Sequence, residues 1–197
     1  PLLGAYNVAN HLAAAGLCLA AGFDLDTVAA GLSSLKTIPG RLEKVGGREF
    51  SVLADFAHTD DALQNVLTTL RPLCKGRLMV VFGCGGDRDK TKRPRMAKVA
   101  QRLADVVIVT SDNPRTERHE AIIADIVAGF DPAKGRRATV TVEPDRKRAI
   151  ELAIGRAMPN DIVLIAGKGH ETYQIIGTEK IHFSDQEVAA ECLKGRG

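Results

Sequence analysis

Three clusters of polar residues each follow a run of branched apolar residues, and together they could hold a small molecule carrying both signs of charge. Asp87 and Arg88 follow Leu78–Phe82 across the glycine-rich step Gly83-Cys84-Gly85-Gly86. Asp112, Asn113, Pro114 and Arg115 follow Val106–Val109, and Lys168, His170 and Glu171 follow Ile162–Ala166. An arginine grips a carboxylate through two parallel hydrogen bonds, and a carboxylate such as Glu171 or Asp112 binds an ammonium. Both signs in one place suit a zwitterion, the end of an amino acid. Any one of these arginines reads equally well as a solvated loop charge, because exposed ion pairs contribute little. The recurrence of charged residues at three strand ends favours a site.

Other polar residues leave their chemistry open. His58 closes Asp55-Phe56-Ala57-His58 and could be a general base, a nucleotide contact or the polar end of a strand. Asn7 and Asn10 are by default turn formers or caps. The basic run Lys90, Lys92, Arg93, Arg95 and Lys98 has no interleaved aromatic, so it is expected to be the solvated face of one helix rather than a nucleic-acid surface. Cys84 has no neighbouring base and is assigned a structural role. Two phosphate motifs come close and fail. Arg88 stands where G-x-G-x-x-G needs its last glycine, and Gly167-Lys168-Gly169 lacks the spacing and hydroxyl of a Walker A loop.

The elements that would position these residues follow from local pattern. Short branched runs read as buried strands, giving strands over Phe50–Ala54, Leu78–Phe82, Val106–Val109, Ala138–Val142 and Ile162–Ala166. Apolar residues at helical spacing separate them. One helix carries Leu63, Val66, Leu67 and Leu70, capped by Thr59 or Asp60. The next carries Met96, Val99, Ala100 and Leu103. Then come Glu117–Phe130 behind a Thr116 cap and Pro144–Ala157. Tyr173–Ile176 and Ile181–Phe183 read as a hairpin, and Ser184-Asp185-Gln186-Glu187 as a capping box. Alternating strands and helices with right-handed crossovers predict an α/β, doubly wound, mostly parallel sheet with flanking helices. Ligands of such sheets bind at the carboxyl ends of the strands. Before this unit, Val8–Ala21 and a second helix presenting Val28, Ala29, Leu32 and Leu35 form a short helical segment. The breakers Ile38-Pro39-Gly40-Arg41 and Gly46-Gly47 suggest a boundary, with domains at 1–38 and 39–197.

Composition restricts the rest. The 197 residues are 45% hydrophobic and 26% charged, as in ordinary globular proteins. A net charge of +3 and 4% aromatics argue against a nucleic-acid partner. The apolar stretch Leu12–Phe23 is too short for a membrane span. Cys18, Cys74, Cys84 and Cys192 are scattered, which predicts reduced thiols in a cytoplasmic protein and no metal site.

The strings GAYNVAN (Gly4–Asn10), PGRLE (Pro39–Glu43), DFAHTDDAL (Asp55–Leu63), FGCGGDRDKTKRP (Phe82–Pro94), TSDNPRTE (Thr110–Glu117) and AGKGHETYQ (Ala166–Gln174) occur in order along nearly the whole chain. With these strings the chain resembles the carboxy-terminal part of a Mur ligase, most closely the branch that adds diaminopimelate. The resemblance implies an ATP- and Mg2+-dependent amide ligase. It would join meso-diaminopimelate to UDP-N-acetylmuramoyl-L-alanyl-D-glutamate (UDP-MurNAc-dipeptide) through an acyl phosphate in peptidoglycan precursor synthesis. It implies that Asp112, Asn113, Pro114 and Arg115, with Arg88, Gly167 and Glu171, bind meso-diaminopimelate. It places Asn7, Asn10, Arg41 and Asp55 toward the nucleotide, with His58 the one catalytic candidate. Residues 1–38 would be the tail of a central ATPase domain. The phosphate loop and metal ligands would lie upstream, so the isolated chain is expected to be inactive. Phe56 and Asp60 depart from the tyrosine and proline of the family pattern, which bears on His58. Two readings compete: a non-catalytic binding module for a zwitterionic ligand, and a folylpolyglutamate-synthase-like ligase, which the DNPR and GKGHE strings disfavour.

Overall fold

The computed structural model describes residues 4–131, 133 and 138–195. Two helices, α1 (Ala5–Ala20) and α2 (Leu25–Ser34), come first and pack on each other. Asp24 caps α2, accepting from the Thr27 amide at 2.8 Å. The expected inward face of α2 is only partly realised: Val28 is buried, whereas Ala29 and Leu35 are exposed. On α1, Leu12 and Leu17 are 69% and 73% exposed.

The remainder builds strands β1 (Glu43–Gly46), β2 (Ser51–Asp55), β3 (Leu78–Phe82), β4 (Val106–Val109), β5 (Thr139–Val142) and β6 (Ile162–Ala166) into one sheet. Its order is β1-β2-β6-β3-β4-β5, with β1 antiparallel to β2 and every other pairing parallel. Strand β1 was not foreseen. The segment read as a boundary pairs Glu43 with Ala54 across the sheet edge, and its glycines and charges hide that role. Helices α3 (Asp60–Leu70), α4 (Lys92–Leu103) and α5 (His119–Val127) cover one face, and α6 (Arg146–Arg156) and α7 (Asp185–Lys194) the other.

The two faces follow from strand periodicity. Leu78, Val80 and Phe82 pack with Leu63, Leu67 and Met96, while Met79 and Val81 pack with Ile150, Ala153 and Val188. Crossovers β2 to β3, β3 to β4 and β4 to β5 run in one direction, and β5 to β6 returns. Right-handed crossovers therefore place α3, α4 and α5 on one side and α6 on the other. The expected doubly wound sheet is the observed one.

Several local expectations shift. Thr116 does not cap α5, which begins at His119; its hydroxyl bonds Asp87 instead. The first hairpin strand, β7 (Tyr173–Ile176), is the expected one, while the second, β8 (Glu179–His182), begins two residues before the expected Ile181 and ends one before Phe183. Ser184 caps α7 as expected, accepting from the Glu187 amide at 3.3 Å. Cys84 is buried, and burial pushes its thiol up to about 12, which fits a structural role.

Candidate functional site

The loops after β3, β4 and β6 meet at the carboxyl edge of the sheet, and the first two are joined along their length. The Gly86 amide donates to the Asn113 carbonyl at 2.9 Å, and the Arg115 guanidinium donates to the Gly86 carbonyl at 2.8 Å. A Cβ at Gly86 would run into the Pro114 carbonyl, so only glycine permits this approach. Asp87 and Arg115 both hold left-handed backbone, at φ 54° and 53°, which costs about 1–3 kcal/mol each unless neighbours enforce it. They do. The Asp87 carboxylate accepts from the Thr116 amide at 3.1 Å and hydroxyl at 2.9 Å. On its other side, Arg115 donates its amide to the Ile175 carbonyl at 3.1 Å and accepts from the Gly177 amide at 2.7 Å. The hairpin thus adds itself to the Arg115 loop.

The basic run departs from expectation here. Lys90, Arg95 and Lys98 are exposed, but the Arg93 side chain has no exposed surface and Lys92 is buried. Lys92 Nζ donates to the His58 carbonyl at 2.8 Å. Arg93 forks onto Glu117 at 2.8 and 3.0 Å and reaches Asp125 at 2.8 Å. Glu117 in turn accepts the Asp87 amide at 2.7 Å. The Arg93 guanidinium and this amide hold the Glu117 carboxyl down at about 2. A carboxyl lowered on folding stabilises the fold above its ordinary value of 4.5, and that contribution disappears as pH falls toward 2. Glu117→Gln is therefore expected to be destabilising at pH 7. Its difference from the unmutated chain in urea melts should shrink steadily below about pH 4.5; a difference independent of pH would refute this account.

The acidic half of the site surrounds a buried lysine. Lys168 Nζ donates to Asn113 Oδ1 at 2.9 Å and to the Tyr173 carbonyl at 2.6 Å. Asp112 and Glu171 lie 3.8 and 3.7 Å from it. Its burial draws the ammonium below the usual lysine range, with Asp112 opposing the shift. Asn113 Nδ2 donates to Glu171 at 3.1 Å, and the Tyr173 hydroxyl lies 3.2 Å from the other Glu171 oxygen. Gln174 donates to the Asp112 carbonyl at 2.6 Å. Gly167, at φ 122°, lies against Asp112: a Cβ there would stand 2.6 Å from the carboxylate. Behind it, fully buried Arg146 grips Asp185 through two bonds of 2.8 Å and donates to the Ala166 carbonyl at 3.1 Å.

Arg115, Asn113, Asp112, Gly167 and Glu171 therefore share one connected site. Arg88 stands at its exposed rim, its guanidinium 3.1 Å from the Asp87 carbonyl. Sequence reasoning passed over Tyr173 and Gln174 as plain hairpin residues, since no local pattern announces that β7 docks on the loop after β4.

The nucleotide-facing candidates lie elsewhere. The Arg41 guanidinium sits 5.3 Å from the Phe56 ring centroid, which is 4.6 Å from His58 and 5.5 Å from His170. The three rings are mutually inclined, by 62° between Phe56 and His58 and 38° between Phe56 and His170, so they form a cationic and aromatic cluster rather than a single plane. His58 Nδ1 and the Phe56 carbonyl are 2.8 Å apart. Asp55 is 3% exposed, and its two oxygens accept the Leu42 and Ala57 amides at 2.7 and 2.8 Å, tying the Arg41 turn to the end of β2. Asn7 and Asn10 are on α1. Asn7 is buried in a cleft shared with His11 and Leu32, and Asn10 is exposed. Among the described residues no group of three or more His, Cys, Asp or Glu is placed to hold a metal ion. No described helix is long and apolar enough to cross a membrane.

Fold and loops together define a doubly wound α/β domain with charged side chains gathered at the carboxyl edge of its parallel strands. The profile of the Mur ligase, glutamate ligase domain matches residues 40–169, and the chain belongs to the Mur ligase family. It is 54% identical over 198 residues to the UDP-N-acetylmuramoyl-L-alanyl-D-glutamate--2,6-diaminopimelate ligase of Gloeobacter violaceus, covering all of this chain and 40% of that protein. It is 53% identical over 197 residues to the enzyme of the same name from Geobacillus kaustophilus, again with 100% and 40% coverage. A solved structure of a ligase of that name superposes with a TM-score of 0.77 at 42% identity, covering 100% of this chain and 40% of that one. The chain spans about two fifths of the length of these relatives.

Proposed function

We propose that this chain is the amino-acid-selecting, carboxy-terminal part of an ATP-dependent ligase that adds meso-diaminopimelate to UDP-N-acetylmuramoyl-L-alanyl-D-glutamate. One observation carries the reading. Arg115 is held in left-handed backbone beside an Asn113–Glu171 pair, so a guanidinium and a carboxylate are offered from fixed positions. The far end of meso-diaminopimelate carries a carboxylate and an ammonium, and this pair matches both. Lysine supplies only the ammonium. In this reading Arg88, Asp112, Pro114 and Gly167 complete the amino-acid site.

Arg41 and His58, with Phe56, would face the nucleotide, and Asn7, Asn10 and Asp55 would support that side. ATP, when bound with Mg2+ held by upstream residues, would activate the D-glutamyl carboxylate as an acyl phosphate for attack by the amine. The residues of this chain bind and orient the amine donor; domain closure would bring it to the acyl group. Residues 1–38 would be the helical tail of the preceding domain, and the exposed Leu12 and Leu17 support a covered position for α1.

The test is a calorimetric titration of the ligase carrying this chain with meso-diaminopimelate and, separately, L-lysine. Saturable binding of the first, roughly 30-fold or more tighter than the second, is expected. Equal binding of the two would overturn the substrate assignment. Selective binding without ATP-dependent product from the UDP-linked dipeptide would identify a non-catalytic binding module instead.

A further inference from the structure

We infer that Lys168 is a positioning residue for substrate selection: its buried ammonium sets the orientation of the Asn113 carboxamide and, through it, of the Glu171 carboxylate. The inference rests on the amino-acid reading of the site above and adds to it the group that keeps the site in register.

Asn113 Oδ1 receives two N–H groups, Lys168 Nζ at 2.9 Å and the Ile175 amide at 3.0 Å. A carboxamide oxygen has two lone pairs, so both are used. The opposite flip would place the NH2 group against two donors, and it is forbidden. Asn113 Nδ2 must therefore point away from Lys168, and there it donates to Glu171 at 3.1 Å. Another Lys168 proton goes to the Tyr173 carbonyl at 2.6 Å, anchoring the first residue of β7. The remaining one faces Asp112 and Glu171 at 3.8 and 3.7 Å. Asp112 and Glu171 thus both face the Lys168 ammonium, which lessens their mutual repulsion and leaves a net negative charge on this trio, at the end of the site that would meet a substrate ammonium. The Gly-Lys-Gly string, which fails as a phosphate loop, is in this account a device for burying a lysine under the amino-acid site.

The test uses Lys168→Met and Lys168→Gln in the complete ligase. Lys168→Met is expected to raise KM for meso-diaminopimelate about tenfold or more while KM for ATP moves less than about twofold. Lys168→Gln, which keeps an N–H for Asn113 Oδ1, should recover about threefold of that loss. In an Asn113→Ala background, adding Lys168→Met should cost less than about threefold, because the group it acts through is gone. An unchanged KM for meso-diaminopimelate, an equal rise in KM for ATP, or fully multiplicative effects with Asn113→Ala would each overturn the inference. If Lys168→Met does not fold, Lys168→Gln with Asn113→Ala decides by the same criteria. If the unmutated ligase fails to distinguish meso-diaminopimelate from lysine, the substrate assignment fails by itself. The Asn113 side-chain NH2 resonances in 15N NMR then decide the role of Lys168: a shift in Lys168→Gln supports it, and unmoved resonances overturn it.

Discussion

Arg115→Ala raises the dissociation constant for meso-diaminopimelate by roughly 30-fold or more and leaves L-lysine binding within about threefold. Removing one partner of a desolvated, hydrogen-bonded charge pair costs about 2–5 kcal/mol, and each 1.4 kcal/mol is tenfold. Arg115 has a second duty, since its guanidinium also donates to the Gly86 carbonyl at 2.8 Å. The lysine arm separates the two. A ligand without the distal carboxylate loses nothing when the guanidinium is deleted, unless the loop itself has collapsed. The left-handed backbone at Arg115 persists in the variant, because the Ile175 and Gly177 bonds that enforce it are main-chain bonds. Diaminopimelate affinity unchanged within about twofold would remove Arg115 from the site. An equal loss for both ligands would make it a scaffold residue.

The second large effect is on stability. Arg146→Met is expected to destabilise the chain by about 3–5 kcal/mol, because it strands the Asp185 carboxylate without its partner in a dry interior. Neither side chain of this pair has exposed surface, and the guanidinium also serves the Ser111 and Ala166 carbonyls at the ends of two loops. In a chain of this length the midpoint of thermal unfolding should fall by roughly 6–20 °C. The double variant Arg146→Met/Asp185→Leu should recover part of the loss, since an apolar pair of similar volume removes the desolvation cost from both partners. A single variant within about 1 kcal/mol of the unmutated chain, or a double variant worse than the sum of its singles, would contradict this account. The pair joins α6 to the start of α7 beneath the loop that carries Gly167, so amino-acid affinity should weaken along with stability.

The strand-and-helix alternation was legible because its signals are local. Leu78–Phe82, Val106–Val109 and Ile162–Ala166 are apolar runs read within five residues, and each is a strand over those same residues. That the loops after β3, β4 and β6 share the carboxyl edge of the sheet followed from parallel topology alone. The polar residues expected there, Arg115, Asp112, Asn113 and Glu171, do come together in one network.

Tertiary structure decided what long-range partners decide. The insertion of β6 between β2 and β3 brings Lys168 to Asn113, 55 residues away, and no window of sequence contains both. Arg93 read as one more solvated charge on a basic helix because its acceptors, Glu117 and Asp125, lie 24 and 32 residues downstream. Strand β1 carries two charges and a glycine in four residues, and only pairing with β2 makes it a strand. The hairpin acts as a brace for the Arg115 loop because its backbone finds unpaired groups there, through bonds available to any residue type. Side-chain pattern along the chain determined the fold class and the chemistry on offer at the strand ends. Which of those charges became buried struts and which stayed free to meet a ligand was set only when the loops closed on one another.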